Sequence, residues 1–182
     1  YVIRRELTVV EGDAIHQTQL QEIRDKLVSL NLFEKVAVKE EILDDELINI
    51  IIEVEEKQTG TFNAGLSIGT IDGIGLAAGL SERNFYGTGR SLKALINTTD
   101  NKQQLTLETT DRILYENDVD ITYRTNYRQE DFSRTSSYNL DTFLVGTGIG
   151  YNINSNLRHS INLDYVIKNY KVTNSSTVAT AI

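Results

Sequence analysis

Histidine is the side chain whose ordinary pKa lies closest to neutral pH, and this chain has two, His16 and His159. His16 lies in a polar link before a predicted helix, and His159 lies on the apolar-leaning side of a predicted strand. Neither has a serine or a carboxylate at a spacing that suggests a catalytic triad. The sequence therefore predicts no catalytic residues, and we expect the protein not to be an enzyme.

Two further patterns could bind a ligand. Gly87-Thr88-Gly89 resembles part of a phosphate loop, but no Lys-Ser/Thr pair and no predicted helix follow it, so a turn is favoured. The acidic runs Glu40-Glu41 and Asp44-Asp45-Glu46 lack the spacing of a calcium loop and are typical of solvated turns. We expect no metal site and no cofactor.

The composition excludes several classes of protein. The net charge is -8, the pI is about 4.8 and no basic stripe is present, so a nucleic-acid partner is not expected. The chain contains no cysteine, which excludes a disulfide framework. No apolar run approaches the roughly 20 residues of a membrane helix, but hydropathy is a weak indicator for membrane-spanning strands.

The first part of the chain predicts two helices followed by two strands. We expect one helix over Val2 to Val10 and another from Thr18, where Gln21 completes a capping-box pattern. An apolar stripe along the second helix predicts its buried face, and Asn31 favours its end. The members of the stripe are Leu20, Ile23, Leu27 and Leu30.

A β-hairpin is predicted next, from Lys35 to Ile42 and from Leu47 to Glu55, around Asp44-Asp45. The second of these strands is rich in β-branched residues, which favours strand formation. Residues 1–57 therefore predict a small α+β unit.

After Gly60 the hydrophobic period becomes two and stays so, and about seven strands are predicted. Asp72-Gly73 is the clearest hairpin turn. In one typical strand, Val119, Ile121 and Tyr123 point to one side and Asp120, Thr122 and Arg124 to the other. The alternating segments include Phe62 to Gly69, Ile74 to Ser81, Leu92 to Thr98, Leu105 to Thr109, Val119 to Arg128, Phe143 to Ile153 and Leu157 to Tyr165.

Period two is compatible with a transmembrane barrel and with a soluble sandwich. Several predicted strands reach about 9 to 11 residues, the length that a tilted membrane strand needs. Tyrosines also lie near predicted strand ends, as in an interfacial girdle. They are Tyr86, Tyr115, Tyr127, Tyr151 and Tyr170. These two features favour the barrel.

Several motifs resemble one known family, the BamA-type outer-membrane protein assembly factors, in which periplasmic POTRA domains precede a 16-stranded barrel. Val2 to Leu7 is similar to the first helix of the last POTRA domain. Leu30 to Val36 is similar to the family's Leu-Gly-Phe-Phe-Glu-x-Val, with Asn31 in the place of glycine. Val54 to Phe62 resembles the junction between POTRA and barrel, and Leu80 to Ser91 resembles the loop after the second barrel strand.

One motif departs from the family pattern. Asp111-Arg112-Ile113-Leu114 stands where the family usually has an acidic residue or Asn followed by Pro-Tyr-Phe, which leaves the turn after the fourth barrel strand undefined.

The resemblance implies an α+β POTRA domain, truncated, followed by the N-terminal part of an antiparallel transmembrane β-barrel. Residues 1–57 would be the last POTRA domain without its first strand, and residues 58–182 about seven strands of the barrel. The hinge between them would be Glu56, Lys57, Gln58, Thr59 and Gly60. The implied location is the outer membrane, with the POTRA part in the periplasm.

The resemblance also implies a function for the first barrel strand, which pairs weakly with the last and opens as a lateral gate. Its residues would be Thr61, Phe62, Asn63, Ala64, Gly65, Leu66, Ser67 and Ile68. The glycines of this strand fit a seam that opens, but they equally fit the relief of crowding inside a curved wall. Both explanations stay open at this point.

The implied function is the assembly and insertion of β-barrel precursors, without nucleotide or cofactor. The implied partners are unfolded outer-membrane clients, accessory assembly lipoproteins and outer-membrane lipid. Two alternatives remain: a translocation-assembly relative that exports passenger domains, and a soluble β-rich binding module.

Overall fold

A computed structural model describes residues 2–7, 9–44, 47–113, 119–154 and 156–173. The chain divides into two compact units. The first comprises residues 1–60 together with Arg83–Arg90, and the second comprises Thr61–Glu82 together with residues 91–182. The predicted domain boundary after residue 57 stays a prediction.

The first unit contains α1 (Val2–Glu6), α2 (Gln17–Ser29), β1 (Phe33–Asp44) and β2 (Leu47–Glu56). β1 and β2 form a two-stranded antiparallel sheet. Ile23 and Leu27 of α2 are fully buried, and Leu20 is buried beside them. These are three members of the predicted apolar stripe, and they form the centre of this unit's core.

Both helices differ from the prediction at one end. α1 ends at Glu6 rather than Val10, since the β-branched Val9 and Val10 are weak helix formers. α2 begins one residue before Thr18, because the N-cap is His16, whose backbone N–H donates to the Gln19 side chain at 2.8 Å. The predicted stop is confirmed, since Asn31 has the left-handed φ of 55°.

The second unit is a seven-stranded antiparallel sheet in which sequence neighbours are spatial neighbours. The short helix α3 (Ser133–Ser136) lies in the connection between its fifth and sixth strands. The strands are β3 (Thr61–Gly69), β4 (Gly73–Phe85), β5 (Arg90–Thr98), β6 (Lys102–Ile113), β7 (Val119–Asp131), β8 (Tyr138–Asn154) and β9 (Leu157–Val172). The fold is therefore mostly antiparallel β, and α+β character is confined to the first unit.

Several strands are longer than their alternating segments predicted. β6, β8 and β9 extend by up to seven residues past the predicted ends. The extensions persist because each is paired with a neighbour, as Asp141 is with Asn169. The segment Leu80 to Ser91, predicted as a loop, is mainly strand around a four-residue turn at 86–89.

The register gives this sheet one apolar and one polar face. Phe143 lies between Tyr127 and Ile167 on the apolar face, whereas Gly146 lies between Arg124 and Asp164 on the polar face. Apolar side chains along all seven strands are exposed. They include Phe62, Leu66, Ile68, Ile74, Leu76, Ile96, Leu105, Leu107, Tyr123, Tyr127, Phe143, Val145, Ile161, Leu163, Tyr165 and Ile167.

Within the described ranges, no helix combines the length and the apolar character needed to cross a membrane.

Candidate functional site

The candidate site is β3, the first strand of the seven-stranded sheet. All eight residues of the predicted gate strand, Thr61 to Ile68, lie in it. Among the described residues its only strand neighbour is β4, with an unbroken register from Thr61 opposite Ser81 to Gly69 opposite Gly73. β3 is therefore an edge strand, whose outer backbone N–H and C=O groups are a template for another strand.

Side-chain contacts add little to the pairing of β3. Its apolar residues Phe62, Leu66 and Ile68 are 71%, 78% and 88% exposed. On the opposite face a Cβ at Gly65 would have no neighbouring atom within 4 Å. Because neither face of β3 is packed, the strand depends mainly on its backbone hydrogen bonds to β4.

On the face of the sheet to which Gly65 belongs, β4 is lined by small residues. Gly75, Ala77 and Gly79 lie opposite Ser67, Gly65 and Asn63. Gly79 accommodates the side chain of Leu95 from β5, since a Cβ there would be 2.8 Å from Leu95 Cδ2. A large side chain, Leu95, thus reaches over β4 from β5, whereas from β3 the small Ser67 hydroxyl lies against Gly75.

The turn of the β3–β4 hairpin is hydrogen-bonded to the turn of the β5–β6 hairpin, whereas the body of β3 makes few side-chain contacts. The Asp100 backbone N–H donates to the Asp72 carbonyl at 3.1 Å, and the Asn101 side-chain amide donates to the Ile71 carbonyl at 2.8 Å. The Asp100 carboxylate lies against Gly73, whose φ of 68° favours glycine. We call these contacts of residues 71–73 with Asp100 and Asn101 the turn clasp.

The turn clasp continues to the following hairpin. The Asp131 backbone N–H donates to the Asn101 carbonyl at 2.8 Å. The Ser133 backbone N–H and side chain hydrogen-bond the Asp131 carboxylate, which holds the pKa of Asp131 below its ordinary value. Asn101 therefore links three consecutive hairpin tips.

The predicted hinge begins at the end of β2. Glu56 is the last residue of that strand. The Lys57 backbone N–H donates to the Leu32 carbonyl, and its ammonium donates to the Asn31 side chain, both at 2.9 Å. Thr59 is buried, between the exposed Gln58 and Gly60. Lys57 is thus fixed to the end of α2.

The segment Leu80 to Ser91, which resembles the loop after the second barrel strand, contains the turn between β4 and β5. Tyr86, Gly87 and Gly89 have positive φ, and the Asn84 side chain accepts from the Gly89 backbone N–H at 2.8 Å. Gly89 lies close to α1 of the same unit, since a Cβ there would be 3.2 Å from Val2 Cγ2. The Gly-Thr-Gly motif is a turn, as predicted.

The histidines take structural positions. His16 caps α2, and the ring of His159 lies 5.4 Å from that of Tyr151 on the next strand. In the part of the chain that the structure describes, no three His, Cys, Asp or Glu residues are grouped so that they could hold a metal ion.

Sequence reasoning did not find the turn clasp. The signal available was the polar stretch Thr98 to Asn101, a common composition for turns. Composition predicts such a turn, but it does not predict which other turn lies within hydrogen-bonding distance.

The family model of the Omp85 superfamily domain matches residues 84–181, more than half of the chain. The outer membrane protein assembly factor BamA of Buchnera aphidicola is 30% identical over 159 residues, which are 85% of this chain and 26% of that protein. The protein of the same name from Neorickettsia risticii is 22% identical over 86% of this chain and 21% of its own length.

Among solved structures, BamA from Haemophilus ducreyi lacking POTRA domains 1–3 is similar with a TM-score of 0.77 at 21% identity. The match covers 94% of this chain and 33% of that one. At this identity the likeness shows the fold. The chain spans about a quarter of the length of the curated relatives it matches.

Proposed function

We propose, from the premise that this chain belongs to the Omp85 superfamily, that its seven-stranded sheet is part of an outer-membrane β-barrel wall. In this proposal β3 is one side of a lateral gate, through which barrel precursors enter the membrane. The observation that carries it is the position of β3: an edge strand in continuous register with β4, unpacked on both faces.

The exposed apolar face supports a membrane location. Monomeric soluble proteins rarely expose a continuous apolar surface across a whole sheet, because that surface drives association. Here it runs over all seven strands, while the opposite face carries mainly charged, polar and small residues. In a membrane barrel the outer face contacts lipid and the inner face lines a polar lumen, which matches these two faces. The match argues against the soluble binding module.

Strand length supports the same conclusion. A tilted membrane strand needs about 9 to 11 residues. The shortest strands, β3 and β5, have 9 residues, and β8 has 17. Every strand of the sheet is therefore long enough to cross, and the longest extend past the membrane.

The proposed mechanism is strand addition without covalent chemistry. An incoming strand pairs with the outer edge of β3, because unpaired backbone groups are costly in lipid. Since β3 makes few side-chain contacts, its separation from a closing strand costs mainly backbone hydrogen bonds, which the client strand replaces. No catalytic group, nucleotide or metal is needed, so we propose that the protein is not an enzyme.

The first unit is proposed to be a POTRA domain in the periplasm. Its helices, its two-stranded sheet and its order along the chain support this assignment. The exposed hairpin β1–β2 would offer a strand edge to unfolded clients and a surface to accessory lipoproteins. The proposed hinge is Glu56 to Gly60, and bending is expected at the exposed Gln58 and Gly60, since Lys57 is bound to Asn31 and Thr59 is buried.

Assembly is favoured over the export of passenger domains, because the two curated relatives are named as outer membrane protein assembly factors.

Site-specific photo-crosslinking tests the proposal. A photoreactive residue is placed at Leu66 of β3 in the full-length protein, and an unfolded barrel precursor is supplied. The matched control is Leu107 of β6, which lies on the same apolar face but inside the sheet. We expect client adducts from position 66 and few from position 107. Equal adducts at both positions would show that the client contacts the apolar face in general rather than the edge.

A further inference from the structure

Three alternate residues of β8 are glycine: Gly146, Gly148 and Gly150. All three point to the polar face and are buried. Glycine inside a strand costs stability, because it loses more backbone entropy than other residues and offers no side chain to pack. None of the three has a positive φ, so the backbone conformation does not require glycine here.

The reason lies in ion pairs that cross β8. Arg124 of β7 and Asp164 of β9 are both in register with Gly146, and Arg124 Nη2 is 3.1 Å from Asp164 Oδ1. Their strands are not neighbours, since two strand spacings, about 10 Å, separate them. The two side chains meet only by extending over Gly146.

A second pair crosses β8 four residues further along, at Gly150. Arg158 of β9 pairs with Asp120 of β7, which is in register with Gly150. Between the two pairs, Arg124 Nη2 also donates to Asn162 Oδ1 at 3.1 Å, and Asn162 lies opposite Gly148. The crossing contacts therefore form a continuous row along β8.

A side chain on β8 would occupy the space of these groups. A Cβ at Gly150 would be 2.8 Å from Arg158 Nη2 and 2.9 Å from Asp120 Oδ1. A Cβ at Gly146 would collide with the Asp164 carboxylate, and one at Gly148 with the Asn162 amide oxygen. Gly65 of β3, in contrast, has open space around it.

We propose that Gly146, Gly148 and Gly150 form a glycine floor whose function is to let the two ion pairs bind β7 directly to β9. Backbone hydrogen bonds join only neighbouring strands, so they do not connect β7 to β9. Without the ion pairs, the sheet could bend about β8 without breaking any contact between those two strands. The crossing pairs resist that bending and any slip in register. β7 to β9 are thus a stiff part of the sheet, whether or not β3 is a gate.

The test is a double-mutant cycle in the full-length protein folded in detergent micelles. Gly146→Val is made in the wild type and in the Asp164→Ala background, and the unfolding rate in urea is measured. Gly65→Val on β3 is the control, since its surroundings are open. In the wild type we expect Gly146→Val to unfold about tenfold faster, which is about 1.4 kcal/mol, because the added side chain overpacks the space of the Asp164 carboxylate.

In the Asp164→Ala background the valine should change the rate by less than about threefold, because the space is vacated. If Gly146→Val alone does not fold, Gly146→Val with Asp164→Ala should fold. An equal loss in both backgrounds, or a double variant that also fails to fold, would overturn the inference and leave crowding in a curved wall as the reason for the glycines.

Discussion

The Asn101 side-chain amide donates to the Ile71 carbonyl at 2.8 Å and so joins the turns of two successive hairpins. In the same turn, the Asp72 carbonyl accepts a hydrogen bond from the Asp100 backbone N–H. The first hairpin is therefore held at its turn, while the body of β3 makes few side-chain contacts. We expect β3 to separate from a closing strand at its Thr61 end first.

Removing the Asn101 side chain should loosen the turn. Asn101→Ala deletes one hydrogen bond, and a neutral hydrogen bond contributes about 0.5–1.5 kcal/mol. Amide exchange of residues 69–73 should rise about two- to tenfold, as measured by mass spectrometry. Asn97→Ala on β5 is the control and should leave that peptide unchanged. No acceleration in Asn101→Ala would mean that the turn clasp contributes nothing to the order of the turn.

The two faces of the sheet are tested by one residue pair on β7. Ile121 is on the apolar face and Thr122 on the polar face, where its hydroxyl lies 3.0 Å from that of Thr110. Ile121→Arg should destabilise the protein in lipid vesicles by about 2–4 kcal/mol near the midplane, whereas Thr122→Arg should be mild. Both changes in stability are measured from the folding yield as a function of urea concentration. Equal yields would contradict the assignment of lipid and lumen.

The core of the first unit depends on α2. Leu27 is fully buried, and its neighbour Val28 is 54% exposed. Leu27→Ala should cost about 2–5 kcal/mol, and Val28→Ala no more than about 0.5 kcal/mol. Amide exchange of β1 and β2 in the full-length protein measures the difference. Similar protection in both variants would show that α2 does not support this sheet.

The ion pair between Asp141 of β8 and Lys171 of β9 should depend on pH. The Lys171 ammonium, 2.7 Å from Asp141 Oδ2, lowers the pKa of Asp141, and the hydrogen bond raises the pKa of Lys171. Both residues lie past Phe143 and Ile167, where the apolar rows end, and so outside the segment assigned to the membrane.

Both shifts give the pair the same pH window. The lowered pKa of Asp141 adds stability above its unfolded value near 4, which is lost as the pH falls further. The raised pKa of Lys171 adds stability below its unfolded value near 10.4, which is lost at higher pH. By NMR the Asp141 carboxyl should titrate below its ordinary range, and Lys171→Met should raise that midpoint. An unchanged midpoint would exclude the lysine as the cause.

The sequence predicted the strands of the sheet because alternation is a local property. Phe62 to Gly69 and Val119 to Arg128 show which side chains share a face without reference to any neighbour. In the extensions the apolar row does not continue, since Asp141 opposite Asn169 lies on the face of Phe143 and Ile167. Their strand conformation comes from pairing with a neighbouring chain segment, which a single segment does not encode.

The candidate site could likewise be predicted from the sequence only in part. The position of β3 after a change in period is visible in the sequence, but the turn clasp and the pairs that cross β8 depend on register between strands. Arg124 and Asp164 are 40 residues apart, and only the assembled sheet brings them together. The α2 cap was missed because threonine is the commoner N-cap, whereas Gln19 here accepts from the backbone of His16.

The central claim is that β3 opens, and a disulfide across its seam tests it most directly. Residues 1–182 contain no cysteine, so no other pairing within them competes. One cysteine replaces Ser67, and the other is placed on the strand that faces β3 in the closed wall of the full-length protein. The control joins Ala94 and Leu107, which are in register on β5 and β6 inside the sheet.

When the seam disulfide is oxidised, insertion of client barrels into vesicles should stop, and reduction should restore it, while the control disulfide should have no effect. The crosslink removes no catalytic group, so lost activity reports lost opening. If the locked protein inserts clients at the rate of the reduced protein, β3 is only part of the wall and the gate assignment is wrong.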